Sequence, residues 1–246
     1  MTEISIELVP RSEESLRKEL QLVADRFPAV QRINIPDILR FKMRSWDGCA
    51  IAGETFPKTI PHLRAIDFDP NKPIQIDEAL CRDEIEAVLV VTGDPPQDMS
   101  HKCYRTSCLE MIRRLKRELP QLKIYAGMDP YRNGIKEEID YIKAKQDAGA
   151  DAFFTQPFFD LRLMEIYQGF MQDCTVYWGV SPVLTENSQN YWEIKNNAIF
   201  PPDFEPTLAW NRNFAKAALQ FAETHGDNVY FMPIRTDIGA YLDGIL

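Results

Sequence analysis

A carboxylate interrupts the first apolar run of the chain. Glu7 lies in the segment IELVPR at 6–11. Moving an unpaired carboxylate out of water is costly, so such a residue is normally paired or used. Burial raises the pKa of a carboxyl group, and a carboxyl with a raised pKa can donate a proton near neutral pH. The sequence indicates either a proton donor or a structural ion pair with Arg11 or Arg64, and it leaves both open.

A second acidic residue follows the apolar run at 87–91 in the segment TGDPP at 92–96. Gly93 allows a sharp backbone turn, and the two prolines stiffen the chain after it. We expect Asp94 to be held at the end of this run. Gly-Asp-Pro is a common turn, so this signal is weak when taken alone.

The segment TQPFFD at 155–160 closes another apolar run. The amide of Gln156 offers a donor and an acceptor, which suits the edge of a heterocycle. Phe158 is a candidate to cover an aromatic ligand, although aromatic residues after a strand more often belong to a core. Asp160 is most simply the cap of the next helix.

His62 is one of three histidines and lies within an apolar run. A lone histidine in a strand is more often a hydrogen-bonded structural residue than a catalyst. Neither a metal-ligand spacing nor a Ser/His/Asp pattern can be assembled around it. We therefore expect no bound metal.

The elements that position these residues alternate between strand and helix. Helical periodicity is clear in three segments, and in the first of them Leu16, Leu20 and Val23 form one helix face with Ser12 as its cap. The other two are Cys108–Leu119, which Pro120 stops, and Ile135–Ile142, for which Gly149 is the terminating residue. Such alternation predicts a parallel sheet, and eight strands in a chain of this length favour a single closed (β/α)8 TIM barrel over 1–246. An open doubly wound sheet is the alternative, but no GxGxxG follows the first strand. The predicted strands are Ile4–Val9, Val30–Ile35, Ile60–Ile66, Ala87–Val91, Lys123–Ala126, Ala152–Gln156, Thr175–Val180 and Asn228–Ile234.

Two connections are longer than usual and are candidates for functional loops. They are Leu39–Lys58, which is rich in basic residues, and Asn196–Pro206, whose prolines favour irregular structure.

Composition excludes several classes of protein. A net charge of −9 argues against a general nucleic-acid binder. No apolar run approaches the roughly 18 residues of a membrane span, and the acidic N-terminus is not a signal peptide. Five cysteines without CxxC spacing indicate reduced thiols. We expect a cytoplasmic protein.

Taken together, these segments resemble the methylenetetrahydrofolate reductase family from about Glu7 to Val183. The run KQDAGAD at 145–151 followed by TQPFFD at 155–160 matches the family's K-x-D-A-G-A-N/D … T-Q-x-F-F-D stretch. The first segment is similar to the family's F-E-F-F-P-P-R. PHL at 61–63 matches its P-H-L, and GDPP at 93–96 matches part of its R-G-D-x-P-P.

This resemblance implies an eight-stranded barrel that holds FAD at its mouth. NADH or NADPH reduces the flavin, which then reduces 5,10-methylenetetrahydrofolate to 5-methyltetrahydrofolate. By resemblance, the catalytic residues are Glu7 and Asp94. Glu7 is the general acid for opening the folate's five-membered ring, and Asp94, beside flavin and pterin, tunes the flavin and binds the folate. Gln156 contacts the pterin or the nicotinamide. Residues expected to line the flavin site are His62, Lys145 and Ala150.

Several family positions near the flavin differ in this chain. The departures are Ile35–Asp37, Thr92, Ala126–Asp129, Ala144 and Pro182–Glu186. Arg40, Arg44 and Arg64 are candidates to replace phosphate contacts, unless they form surface ion pairs.

The departures leave two alternatives to a flavin-dependent reductase. One is a flavin-free folate barrel, which transfers hydride directly from NAD(P)H or transfers one-carbon groups. The other is a non-catalytic folate-binding subunit, with Arg40–Cys49 around Trp46 as a docking surface. The resemblance also leaves open a homo-oligomer.

Overall fold

Eight parallel strands close into a barrel in the order β1-β2-β3-β4-β5-β6-β7-β8 in the computed structural model, which describes residues 2–96 and 101–246. The strands are β1 Ile4–Glu7, β2 Arg32–Ile35, β3 Thr59–Arg64, β4 Ala87–Val91, β5 Lys123–Met128, β6 Ala152–Pro157, β7 Val176–Val180 and β8 Asn228–Phe231. The barrel closes where β8 pairs with β1, as in Ile6 opposite Phe231. The predicted fold is confirmed, and the open sheet is wrong.

Helices cover the outside of the barrel. They are α1 Glu13–Arg26, α2 Ser45–Gly53, α3 Asp77–Leu80, α4 Cys108–Glu118, α5 Ile135–Ala148, α6 Leu161–Phe170, α7 Glu186–Asn196, α8 Leu208–His225 and α9 Ile238–Leu242. Ser12 caps α1, and Asp160 caps α6 as expected. Leu16, Leu20 and Val23 are buried against the barrel. Within the described ranges, no helix combines the length and apolarity that crossing a bilayer requires.

The prediction of a loop over Leu39–Lys58 is wrong. Leu39–Lys58 contains helix α2, whose buried residues Ser45, Gly48, Cys49 and Ala52 repeat at helical spacing. Because these side chains are small or polar, hydrophobicity alone gave no helical signal. The other prediction is confirmed, since no helix or strand lies between the end of α7 and Thr207.

Side chains fill the inside of the barrel up to its carboxyl end. Phe154 stacks on Tyr177 with ring centroids 4.1 Å apart, and Tyr230 meets Phe154 edge to face at 5.1 Å. Tyr125 also stacks on Phe154, with ring centroids 5.5 Å apart, and lies 6.0 Å from the ring of Tyr177. This aromatic plug closes the interior below the mouth, so a ligand has access only from one end.

Strand ends differ from the predicted ends by a few residues. β1 ends at Glu7 and β8 at Phe231, earlier than predicted, whereas β5 continues to Met128. Residues 8–9 and 232–234 remain apolar because they line the mouth and its outer side, although they lie outside the strand ladder. The apolar runs therefore predicted which residues are buried, but not where the hydrogen-bonded strands end.

Candidate active site at the carboxyl ends of the strands

A cavity of about 240 Å³ opens at the carboxyl ends of the strands. Its walls come from β1, β3, β4, β5, β6 and β8, from α5, and from Trp192 of α7. This is the end of a barrel at which catalytic residues are found. Four predicted residues line the cavity together: Glu7, His62, Lys145 and Gln156.

Glu7 ends β1 at the cavity wall and pairs with a tyrosine. The hydroxyl of Tyr230 on β8 donates a hydrogen bond to Glu7 Oε2. Burial raises the pKa of Glu7 to about 7, although the bond from Tyr230 opposes this rise. A carboxyl group with this pKa is partly protonated at neutral pH and can act as an acid.

The two arginines considered as ion-pair partners of Glu7 bind other residues. Arg11 Nη1 lies 3.1 Å from Glu19 Oε1. Arg64 Nε lies 3.1 Å from Asp67 Oδ2, and its Nη2 donates to the carbonyl of Asp94 at 2.7 Å. Neither arginine neutralises Glu7, so the ion-pair interpretation of Glu7 is wrong.

His62 of β3 is buried, and its Nε2 has no hydrogen-bond partner in the described part of the chain. Burial lowers the pKa of His62 to about 3, so the ring is neutral at neutral pH. A buried polar atom without a partner costs free energy unless a ligand or water satisfies it. In the cavity wall, this nitrogen can hydrogen-bond to a ligand.

Lys145 projects from the end of α5 into the same wall. Its Nζ donates to the carbonyl of Gly127 at 2.6 Å and lies 3.9 Å from the centre of the Tyr141 ring. Burial lowers the pKa of Lys145, although nearby Glu138 opposes the shift. Glu138 is also buried in this wall, where its Oε1 accepts from the backbone N of Asp129 at 3.3 Å.

Gln156 is exposed at the mouth because β6 is irregular there. The register between β6 and β7 shifts between Phe154 and Pro157, and Thr155 Oγ1 accepts a hydrogen bond from the backbone N of Gly179 at 2.7 Å. Such irregularities often redirect a side chain at a barrel rim. Here Thr155 and Pro157 are buried, whereas Gln156 between them is exposed to solvent at the mouth.

The other three predicted site residues lie outside the cavity wall. Asp94 is exposed on the turn after β4, where Gly93 adopts φ +83°. Ala150 lies behind Lys145, with its backbone N bonded to the Lys145 carbonyl at 2.9 Å. Phe158 is fully buried, with its ring 5.4 Å from Trp178 and 5.9 Å from Tyr167. Its position in the outer core contradicts the expectation that Phe158 covers a ligand, because β6 turns that side chain away from the mouth.

Sequence reasoning missed several polar residues of the wall, among them Glu138, Tyr141 and Tyr230. The spacing of Glu138, Tyr141 and Lys145 is that of one helix face, so the first two could have been inferred from Lys145. Tyr230 could not, because its contact with Glu7 depends on closure of the barrel across 223 positions.

The basic residues considered for phosphate binding are engaged within the protein. Arg44 bonds to Asp37 and Asp67, and Arg64 also bonds to Asp67. The Arg40 guanidinium lies 4.8 Å from the centre of the Phe41 ring. Trp46 is half-buried against the main core, as expected of a packing residue.

Comparison with known proteins assigns the fold to a family. The family model described as methylenetetrahydrofolate reductase matches residues 43–187, more than half of the chain. The chain belongs to the methylenetetrahydrofolate reductase family. The 5,10-methylenetetrahydrofolate reductase of Buchnera aphidicola subsp. Acyrthosiphon pisum is 27% identical over 117 residues, which cover 47% of this chain and 39% of that protein. A probable methylenetetrahydrofolate reductase (NADPH) of Caenorhabditis elegans is 25% identical over 132 residues, covering 51% and 20%. The chain thus matches less than half the length of these reductases.

Solved structures agree with the barrel. An uncharacterized protein from Clostridium thermocellum that binds two copies of 5-methyl-5,6,7,8-tetrahydrofolic acid superposes with a TM-score of 0.64 at 12% identity, covering 98% of this chain and 93% of that one. An oxaloacetate acetylhydrolase superposes with a TM-score of 0.59 at 12% identity, covering 95% and 75%. At such identity these similarities support the fold alone.

Proposed function

We propose that this member of the family reduces 5,10-methylenetetrahydrofolate to 5-methyltetrahydrofolate, with Glu7 as the proton donor. The observation that carries the proposal is the carboxyl of Glu7 in the cavity wall, where burial raises its pKa to about 7. Family membership supplies the substrate, and the position of Glu7 at the end of a barrel strand fits a catalytic role.

The reaction needs a proton at a defined atom. The bridging carbon of the substrate joins N5 and N10. When its bond to N10 breaks, N10 needs a proton and the carbon becomes electrophilic towards hydride. Because Tyr230 donates to Glu7 Oε2, the proton of the neutral carboxyl resides on Oε1. Glu7 therefore delivers this proton from Oε1 to N10, and general acids of this kind contribute about 10²–10⁴-fold to rate.

The remaining cavity residues hold the folate ring. The amide of Gln156 at the mouth can donate to and accept from the pterin edge. Leu89, Phe154 and Met232 provide apolar walls that exclude water from the reacting carbon. Asp94, on the rim outside the cavity, remains our proposed contact to the part of the pterin that extends outwards.

The side chains present fit the ring system of FAD. The unpartnered Nε2 of His62 suits a polar atom of the ring, and the Lys145 ammonium suits a ring carbonyl. Gln156 completes the proposed contacts within the cavity. When bound, FAD carries two electrons from NAD(P)H to the folate.

A flavin-free reductase is the second candidate, and two observations favour it. Several positions expected near the flavin depart from the family pattern, among them Ile35–Asp37 and Ala126–Asp129. In addition, Arg44 and Arg64 are bonded to aspartates instead of facing a phosphate site. In this candidate, hydride passes directly from NAD(P)H to the bridging carbon, and Glu7 keeps the same role.

An absorption spectrum of the purified protein, with and without added FAD, tests the flavin. A flavin spectrum that NADH or NADPH bleaches and methylenetetrahydrofolate restores is expected for the first candidate. A colourless protein that reduces the folate without FAD would overturn that candidate in favour of the second. A protein that binds folate but reduces none under either condition would refute both and leave a binding subunit.

Deuterium transfer separates the two candidates independently. If transfer is direct, deuterium placed at C4 of NAD(P)H appears in the methyl group of the product. The label is lost to water if it passes through the flavin, because hydrogen on flavin nitrogen exchanges with solvent. Mass spectrometry of the 5-methyltetrahydrofolate formed measures the difference.

A further inference from the structure

Glu7 lies in the wall of a second cavity as well as the main one. A small cavity of about 20 Å³, here called the back cavity, is lined by residues after β1, by Glu19 of α1, and by the segment after β8. Its lining is Glu7, Leu8, Val9, Arg11, Glu19, Pro233, Ile234, Thr236 and Ile238. Glu7 and Ile234 are common to both cavities. Glu7 therefore lies between the substrate side of the barrel mouth and a polar space behind it.

The back cavity has the size and the polar lining for one water molecule. A water needs roughly 10–15 Å³ of such volume and two to four polar partners. The back cavity has about 20 Å³, and its lining includes four residues with polar side chains, Glu7, Arg11, Glu19 and Thr236.

Glu19 connects this space to the outside. Its side chain is 25% exposed, and Arg11 Nη1 lies 3.1 Å from its Oε1. Burial raises the pKa of Glu19, against the opposing effect of Arg11. A carboxyl that meets both solvent and the back cavity can take a proton from one side and release it on the other.

The proposed reaction makes such a route useful. Each turnover consumes one proton, which Glu7 gives to N10, so Glu7 is left as a carboxylate. While folate fills the main cavity, solvent cannot reach Glu7 from that side. Two other titratable residues of this wall, Tyr230 of β8 and His62 of β3, are poor proton sources. Burial raises the pKa of Tyr230 well above its usual value and lowers that of His62 to about 3, so the His62 ring is neutral.

We propose that Glu7 is reprotonated through the back cavity, with Glu19 as the relay residue at its solvent side. This inference rests on the proposed function. Glu7 takes a proton from the enclosed water, the water takes one from Glu19, and Glu19 takes one from bulk solvent. The net uptake is one proton per turnover, and no other atom or electron changes place.

The test compares Glu19→Gln with Glu14→Gln. Both variants remove one negative charge from α1, but Glu14 is exposed, pairs with Lys18 and lines neither cavity. The first turnover is followed by rapid mixing of pre-reduced enzyme, or of enzyme with excess NAD(P)H if no flavin is bound, at pH 6.5. Steady-state turnover is measured in the same buffer in H2O and D2O.

We expect Glu19→Gln to keep the first turnover within about twofold, since Glu7 starts protonated. Steady-state turnover should fall by about tenfold, equivalent to about 1.4 kcal/mol on the slowest barrier, with a larger solvent isotope effect. Glu14→Gln should match the wild type in both phases. Thr236→Val, which removes one partner of the enclosed water, should show a smaller loss confined to the steady state.

The failures are distinguishable. Equal steady-state rates for Glu19→Gln and Glu14→Gln would overturn the relay and leave the proposed reductase intact. A loss in the first turnover as large as in the steady state would assign Glu19 a structural role and would also overturn the relay. A wild-type protein without any first turnover would refute the proposed function itself, and the relay with it.

Discussion

Glu3 and Glu7 flank the same short strand, and each accepts a hydrogen bond from a tyrosine of the barrel. Glu3, before β1, accepts from Tyr177 at 2.5 Å, and Arg32 Nη2 lies 2.9 Å from it. Glu7, at the end of β1, accepts from Tyr230. The two carboxyls therefore differ in the presence of a cation and in the extent of burial, which is greater at Glu7.

Their pKa values shift in opposite directions for that reason. Burial raises the pKa of Glu3, but the bond from Tyr177 and the charge of Arg32 outweigh burial, and the net pKa is lowered. Burial raises the pKa of Glu7 to about 7, where only the bond from Tyr230 opposes it. At Glu3 a tyrosine and an arginine together outweigh burial, whereas at Glu7 burial is greater and the tyrosine alone does not outweigh it. The amino end of the barrel thus holds an ion-paired carboxylate, and the carboxyl end holds a carboxyl group with a raised pKa.

The largest expected difference between the two ends is catalytic. Glu7→Gln keeps the size of the side chain and removes its proton donor, so turnover should fall by about 10²–10⁴-fold. Binding of 5-methyltetrahydrofolate, measured by titration of protein fluorescence, should change little. Glu3→Gln is the matched control and should keep turnover within about twofold. Comparable losses of turnover in Glu7→Gln and Glu3→Gln would show that Glu7 is not the proton donor.

Removal of the cation should affect stability at the amino end. Arg32 is buried, bonds to Tyr125 at 2.9 Å, and pairs with Glu3 and Glu86. Arg32→Met leaves these carboxylates without their buried partner, which should lower the free energy of unfolding by about 3 kcal/mol. Urea denaturation at pH 7 measures the change.

The control for Arg32 is a pair on the surface. Arg11→Met breaks the exposed contact with Glu19, which should change the free energy of unfolding by less than about 1 kcal/mol. If both arginine variants lose the same stability, burial of the amino-end cluster is not what distinguishes it.

Stability should also depend on pH through Glu7. Its folded pKa of about 7 exceeds the value of 4.5 without burial. The folded state therefore holds the proton more tightly, and the resulting stability is fully present below pH 4.5 and is lost as the pH rises through 7. The shift corresponds to about 3 kcal/mol, at about 1.4 kcal/mol per pKa unit.

Glu7→Gln isolates this contribution, because glutamine does not titrate. Relative to the wild type, the variant should gain about 3 kcal/mol of unfolding free energy between pH 4.5 and pH 8. Urea denaturation of both proteins across this range provides the comparison. Parallel stability curves would mean that the folded pKa of Glu7 is not raised.

The sequence singled out Glu7 but not its surroundings. Glu7 stood out because it interrupts an apolar strand, and the eight apolar runs were enough to predict the barrel. The partner of Glu7 was not predictable, because β8 meets β1 only when the barrel closes. Helix α2 escaped notice because Ser45, Gly48 and Ala52 contribute close packing and little apolar surface. Phe158 was placed at the mouth because strand alternation cannot anticipate the irregular register of β6.

The smallest expected effect is a shift in the pKa of Glu7 on removal of the Tyr230 hydroxyl, which removal of the Tyr177 hydroxyl should not produce. In Tyr230→Phe, Glu7 loses the bond that lowers its pKa, so the pKa should rise by about 0.5–1 unit, the size expected from one hydrogen bond. The alkaline limb of the turnover profile should move upwards by the same amount. ¹³C NMR titration of the Glu7 carboxyl, assigned by its absence in Glu7→Gln, measures the pKa without turnover.

Tyr177→Phe removes the equivalent hydroxyl at the amino end. There the Glu3 carboxylate keeps Arg32, so Glu3 should remain ionised, and both the Glu7 titration and the turnover profile should stay where they are. The unfolding free energy of the variant should fall by about 1 kcal/mol, the net value of one hydrogen bond. If neither Tyr230→Phe nor Tyr177→Phe shifts the pKa of Glu7, burial alone determines that pKa. The hydroxyl of Tyr230 would then serve only to orient Glu7.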